Sequence, residues 1–563
     1  MKKIIYLLIA ISFFTASCDN SLDVESKGVL SEDQVSDDPD GLLISAYASL
    51  GNDHYNIPFS LWPYGSVRSD DAYKGGRDES DITDFYLLET FTNVTTEFDE
   101  VDGLWYYLYV GISRANAALK VINEQSESAY PKKTIRQAEA RFLRGYWYFM
   151  LKTLFKYVPY IDENLDVNDY EKVSNRQYTN DELWDLIAAD FRFAVNNLPE
   201  SQSDVGRANK YAAAAYLAKT RLYQAYEQDE ENNITEINDD KLKQVVELCD
   251  TVISSTYSLE SDFAYNFMPG DYENGLESIF AVQYSQDDGT DYGRLNFGDV
   301  LATPQGIGCC DFHKPSQNLV NAYRTGTDGL PLFDTYNDAD VDLDNNTVDP
   351  RLDHTVCIPG HPYKYETSVI YEDDWNRTPD VYGYYASAKE NVPKDCDCLI
   401  QVGPFYGNSK NRILIRYSDV LLWKAEALIE LGRQNEALSL INQVRERASN
   451  STALLKMEDG TYESNYKIAT YQDGVNCSWT QDYARQALRW ERRLEFAMEG
   501  SRFFDLVRWG TAESVLNSYF KSEQNKRAYL QIAHFTKNRD EYLPIPYNQM
   551  NYAGGVYTQN TGY

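Results

Sequence analysis

Helical periodicity fills both ends of this chain and is missing between them. In 104–126 (LWYYLYVGISRANAALKVINEQS), Leu104, Leu108, Ile112, Ala115 and Leu119 recur at three- and four-residue steps. That spacing lays one apolar stripe along a helix. Pro131 opens the next helix, AEARFLRGYWYFMLKTLF, which stops before Val158-Pro159. Thr179-Asn180-Asp181-Glu182 caps a third helix that ends at Pro199. Two more are predicted at 208–227 and in KLKQVVELCDTVISS. From 258 to about 410, Gly, Asp, Asn, Pro and Tyr interleave and the period disappears, which reads as loop with short strands. Helices return at 416–431, 433–448 and 482–519.

The helices also look paired. Ala425, Ala427, Leu428, Leu431, Gly432, Glu436, Ala437 and Ile441 follow the spacing of a tetratricopeptide hairpin, with small residues where helices cross and Gly near the turn. Residues 184–198 and 211–226 carry similar alternation. The predicted fold is mainly α: tetratricopeptide-like hairpins stacked into a solenoid, interrupted by one long irregular region. By itself that pattern suggests an adaptor for another protein. Hydrophobic residues make up 43% of the 563, enough for a large core. Lys plus Arg number 52 against 87 Asp plus Glu, a net charge of -35. A surface that acidic repels phosphate backbones and disfavours nucleic acid. The 46 Tyr and 9 Trp combine flat apolar faces with hydrogen-bonding tips, which suits sugar rings and protein interfaces.

The first residues read as a targeting segment. Lys2 and Lys3 precede an apolar run, Ile4 to Phe14, too short for the roughly 20 residues a membrane span needs. Thr15-Ala16-Ser17 then leads into Cys18 as a lipobox, so residues 1–17 are expected to be removed and Cys18 acylated. Seven cysteines remain, five of them between 309 and 398: Cys309, Cys310, Cys357, Cys396 and Cys398. Export makes disulfides plausible there, with the pairing open and at least one thiol free. Cys396-x-Cys398 and His354-x-x-Cys357 do not match a zinc template even with His313 and His361 added, so no metal site is expected.

In order along the chain, several segments resemble the SusD/RagB family. They are LDVESKGVLSEDQ after the lipobox; AEARFLRGYWYFMLKTLFKYVPYI with Arg141-x-x-Arg144-Gly145-Tyr146; and Asp349-Pro350-Arg351. RYSDVLLWKAEALIELG, ALSLINQVRERA and ERRLEFAMEGSRFFDLVRWG (491–510) follow, then EYLPIP (541–546) and QNTGY (559–563). The family's usual ending has proline where Thr561 stands. The resemblance covers essentially the whole mature chain. It implies one domain over 18–563, with an N-terminal helical part (18–257), a loop-rich ligand or partner region (258–410) and a C-terminal helical part (411–563). It also implies a lipid-anchored outer-membrane protein that delivers a captured oligosaccharide, or in some members a peptide, to a TonB-dependent transporter barrel.

No catalytic signature accompanies these segments: no G-x-S-x-G, H-E-x-x-H or P-loop, and only five His. In 491–510, Glu491, Glu495 and Glu499 share a helical face with Arg492, Arg502, Asp505 and Arg508 in reach, which reads as a structural ion-pair network around Gly500. No resident cofactor is expected. Bound calcium is the one alternative, at 338–349 (DADVDLDNNTVD), but Leu343 and Asp349 stand where a calcium loop needs Gly and Glu, so a solvated turn is the preferred reading. For the ligand, three stretches combine loop aromatics with polar partners. They offer Trp62, Tyr64, Arg68, Asp70, Asp71 and Tyr73; then Tyr284, Tyr292 and Arg294; then Trp375, Tyr382 and Tyr384. Each aromatic also suits loop packing or a protein interface.

Overall fold

The computed structural model describes residues 38–286, 288–289 and 294–563. The signal segment, Cys18, the LDVESKGVLSEDQ stretch and Tyr292 lie outside the described residues. Helices α1 (Pro39–Ala48) and α2 (Thr83–Thr90) precede a run of five longer ones: α3 (Asp99–Glu124), α4 (Lys133–Phe155), α5 (Asn180–Asn197), α6 (Lys210–Ala225) and α7 (Asp239–Ile253). Each packs on the next. The sequence dictates the boundaries locally. Thr179 Oγ1 accepts the Glu182 N–H at 3.3 Å while the Glu182 carboxylate accepts the Thr179 N–H at 2.8 Å, a reciprocal cap that starts α5. The stripe read from α3 is buried in full.

After α7 the chain leaves the stack. It returns as α8 (Tyr417–Glu430), which packs directly on α7, then α9 (Gln434–Asn450), α10 (Gln481–Phe496), α11 (Arg502–Arg508) and α12 (Ala512–Glu523). Strands Ser278–Val282 and Arg412–Arg416 pair antiparallel, so the chain enters and leaves the irregular region side by side. Within that region every sheet among the described residues is a two-stranded pair. The fold is therefore the expected helical solenoid with a long insert. The span read as helix over 482–519 is three helices. It breaks after Phe496, where Met498 and Gly500 take left-handed backbone (φ +65° and +74°), and again at Gly510 (φ +67°). Gly500 also meets Gly65 so closely that a Cβ on Gly65 would stand 1.8 Å from the Gly500 carbonyl oxygen.

The family-like motifs resolve to structural contacts. Arg141 and Arg144 both pair with the buried Asp190 of α5. Near the C-terminus, Asn560 Nδ2 donates to the carbonyls of Phe155 and Leu543 at 2.9 and 2.8 Å, pinning the tail to the end of α4. The acidic run 338–349 is used in turns and pairs: Asp342 caps the N–H of Asp344 at 3.1 Å, and Asp340 meets Lys526. Among the described residues these acids form no metal-ligating group.

Candidate functional site

The most ligand-like surface is built from three loops of the insert and its neighbours. Strand Ala72–Gly75 pairs with Phe312–Pro315, and beyond it the chain turns outward to the exposed Arg77 and Glu79. Asp78 accepts from Ser80 and from Arg77 Nε (2.7 Å), and those hydrogen bonds hold its carboxyl well below the usual carboxylate range. Asp81 then joins two loops, accepting the Arg77 N–H at 2.9 Å and Arg377 at 3.0 Å. Arg377 itself is exposed, and its backbone N–H donates to Asp311 Oδ2 at 2.7 Å. Thr378 Oγ1 donates to the Arg77 carbonyl at 2.7 Å.

The third loop, 304–311, lies against aromatic rings. Gln305 N–H donates to the Trp375 carbonyl at 2.9 Å. A Cβ on Gly306 would stand 2.0 Å from the Trp375 indole, and one on Gly308 would stand 2.0 Å from the Tyr406 ring, so only glycine lets this backbone lie flat on both. Cys309 and Cys310 form a disulfide at its end, and Cys396 and Cys398 form a second one; Cys249, Cys357 and Cys477 are free. Phe405 and Tyr406, half-buried, form the neighbouring hairpin, and Tyr384, seven residues along the chain from Arg377, has 42% of its surface exposed. The result is a loop face with exposed guanidinium donors and carboxylate acceptors already fixed by hydrogen bonds, and with the exposed Tyr384 phenol close by in sequence.

Burial corrects most of the residues expected to touch ligand. Trp62 is 1% exposed: it stacks on His313 at 5.2 Å and donates Nε1–H to the Gly298 carbonyl at 3.2 Å. Tyr64 is fully buried. Arg68 is sandwiched against Phe503 and donates to the Asp540 carbonyl. Asp70 pairs with Arg493 and Arg502, Asp71 with Arg493, and the Tyr73 hydroxyl bonds to Glu523. This stretch is interior because the insert pairs over it through Phe312–Pro315. Tyr284 is buried, and Arg294 is spent on the carbonyls of Gly51 and Ala48. Trp375 is 9% exposed beneath Gly306, and Tyr382 is 1% exposed against Tyr529. Of the described aromatics among these ligand candidates, Tyr384 alone keeps an exposed face. Arg77, Arg377 and Tyr406 were not singled out from the sequence. The signals that mark them are the Gly75-Gly76 turn and the glycines of 304–308.

The carboxylates of 491–510 are structural, and their partners come from far along the chain. Glu491 meets Arg351 and Arg445; Glu495 meets Arg351, Arg416 and Arg447. Glu499 meets Arg416 and Lys389. Burial alone would raise the Glu495 pKa, but the three guanidiniums overcome it and hold the carboxyl well below the usual range. A carboxylate held so firmly ionised is no general acid. Beside this network lies an interior cavity of about 200 Å³, lined by Tyr146, Phe149, Lys219, Arg412, Asp419 and Glu499 among others. None of its lining residues is exposed, and it falls below the roughly 300–1,000 Å³ of ligand pockets, so it is not the open binding face.

The chain is thus a helical-repeat stack with one long insert that carries an aromatic, polar face. The chain belongs to the SusD family, whose family model matches residues 276–563. A second model, described as starch-binding associating with outer membrane, matches 66–222. The SusD-like protein P2 of Formosa agariphila is 27% identical over 480 residues, covering 82% of this chain and 81% of that one. A SusD-like protein of Bacteroides ovatus is 25% identical over 525 residues, 90% of this chain and 82% of its own. Among solved structures, a SusD-like carbohydrate binding protein from Bacteroides fragilis superposes with a TM-score of 0.70 at 23% identity, over 94% of this chain and 98% of that one. Surface glycan-binding protein A from Bacteroides thetaiotaomicron, in complex with laminarihexaose, gives 0.65 at 20% identity, over 93% and 98%. These likenesses establish the fold.

Proposed function

We infer that this protein is a lipid-anchored outer-membrane lipoprotein that captures an oligosaccharide and passes it to a TonB-dependent transporter barrel, without chemistry of its own. The observation that carries the reading is the face built on Arg77, Asp78, Asp81 and Arg377, with the exposed Tyr384 seven residues along the chain from Arg377. A sugar ring offers a C–H face to an aromatic plane and hydroxyls to charged groups beside it, and this face presents both. The relatives' glycan-binding descriptions support the same ligand class. A second exposed tyrosine group lies on the helical side: Tyr106 on α3, and Tyr547 and Tyr552 on the turn that Asn548 and Gln549 tie to Asp102. Exposed tyrosines away from the loops suit a protein partner such as the barrel.

The test is a binding screen of the purified protein against a panel of polysaccharides, laminarin included, and peptides. Glycan binding is the expected result; binding to peptides alone assigns the face to peptide capture instead. A Cys18→Ala variant should be soluble after export, and mild-detergent purification from native membrane should recover the barrel alongside. Persistent membrane attachment of the variant, or repeated recovery of the lipoprotein alone, contradicts the anchor or the partner.

A further inference from the structure

Away from the loop face, three side chains from separate segments converge. Asp353 lies in the one-turn helix Arg351–Thr355, His361 in the turn before Pro362–Tyr363, and Glu463 in the loop after α9. His361 Nδ1 stands 2.7 Å from Asp353 Oδ1 and 3.9 Å from Glu463 Oε2. One ligand atom from each residue lies within 4.8 Å of the others. The side chains of Asp353 and Glu463 are 1% and 3% exposed, that of His361 14%.

Two features set this cluster apart from the other buried carboxylates of the molecule. Glu491 and Glu495 each meet at least two guanidiniums, whereas among the described residues Asp353 and Glu463 have no Lys or Arg ion pair, and His361 is the one basic side chain within ion-pair distance of them. Glu463 Oε1 is also buried with no hydrogen-bond partner. An uncompensated carboxylate is costly to bury, and a cation between the groups would answer both deficits at once. There is room for one: a void of about 10 Å³, close to the size of a single water or ion, is lined by the three residues with Cys357 and Lys364. Asp353 is already oriented from behind by the Tyr466 hydroxyl, which donates to Oδ2 at 2.8 Å, as outer partners orient metal-binding carboxylates.

The geometry points to a divalent transition-metal site at Asp353, His361 and Glu463, for which Zn²⁺ is the fitting ion. An imidazole nitrogen with two carboxylates suits zinc, whereas calcium takes about six to eight oxygens. Cysteine-histidine spacings do not mark the site, because its ligands lie at 353, 361 and 463 and two of them are carboxylates. Its position gives it a purpose. The ion ties the segment carrying Arg351, the strand pair Pro362–Tyr363 with Glu366–Ile370, and the loop after α9 into one unit. The strand pair runs on into the 373–385 loop of the ligand face, so the clamp stiffens the base of that face.

The test uses the whole purified protein, stripped with a chelator and titrated with Zn²⁺ or with Ca²⁺, following heat of binding and melting temperature. The expected result is one Zn²⁺ per chain, a melting temperature raised by a few degrees, and no comparable effect of Ca²⁺. Glu463→Gln keeps the shape of the side chain. It should weaken Zn²⁺ by about tenfold or more and abolish the thermal shift, while its metal-free melting temperature stays at or above wild type. His361→Ala should lose the same shift. Wild type that shows no Zn²⁺-dependent shift, a shift retained in both variants, or preference for Ca²⁺ would overturn the assignment.

Discussion

The 491–510 junction and the 304–311/373–385 face are both rich in charge and aromatic rings, yet they use them in opposite ways. At the junction the buried glutamates are met by guanidiniums from distant segments, with Arg351, Arg416, Arg445 and Arg447 converging on α10, and Asp505 is met by the local Arg492 and Arg508. Nothing there is free to bind. On the loop face Arg77 and Arg377 each meet one carboxylate, Asp78 and Asp81, with one further weak hydrogen bond to Ser80 Oγ and to the Cys310 carbonyl, and both residues are exposed. The motifs that carried the family resemblance belong mostly to the first kind of region, and the residues suited to ligand belong to the second. The family-like motifs sit where charges are already paired, and the exposed charges of the insert sit where they are not.

Breaking the junction should give the largest effect. Glu495→Ala leaves Arg351, Arg416 and Arg447 without a shared partner, and stripping one side of a buried ion network costs about 3–5 kcal/mol. Chemical denaturation should register that loss as a lower midpoint. Because the Glu495 pKa is depressed in the folded state, its stabilisation is present above the unfolded carboxyl pKa and is lost only as pH falls through the folded value. Wild type and Glu495→Ala should therefore converge in stability only in strong acid.

The next contrast separates the buried tryptophan from the exposed tyrosine. Trp62→Ala empties a core site and should cost about 3–5 kcal/mol of stability. Tyr384→Ala should leave the melting temperature unchanged and weaken glycan binding by about 1–3 kcal/mol, the range for ring stacking on aromatic platforms. A Trp62→Ala protein as stable as wild type would put that ring outside the core.

The smallest effect concerns the cavity wall. Burial pushes the Asp419 carboxyl up to about 6, with Arg492 and Arg416 only partly offsetting it. The folded state then holds a proton that the unfolded state has released between about pH 4 and 6, so this group makes stability fall as pH rises through that window. Asp419→Asn should flatten the fall by about 1–2 kcal/mol, read from denaturant midpoints at pH 4 and pH 7. An unchanged slope would place the titration elsewhere.

The helical ends of the molecule were legible because their contacts are local: a stripe at three- and four-residue steps reports burial directly, and Thr179 with Glu182 announces the start of α5. The stretch from Trp62 to Tyr73 misleads for the opposite reason. Its Asp and Arg residues resemble a solvated loop, but their partners lie more than 400 residues away, with Asp70 on Arg502 and Arg68 on Asp540. Trp375 failed similarly, since its cover is Gly306, a residue with no side chain to betray the contact. Composition reports polarity; it does not report which polar groups the fold has already paired.

The most direct test of the account is the affinity of wild type and of Tyr384→Ala and Arg377→Ala for whichever glycan of the panel binds, with melting temperatures recorded in parallel. The account predicts weaker binding in both variants at unchanged melting temperature. Wild-type affinity in both would contradict the assignment of the loop face as the ligand site.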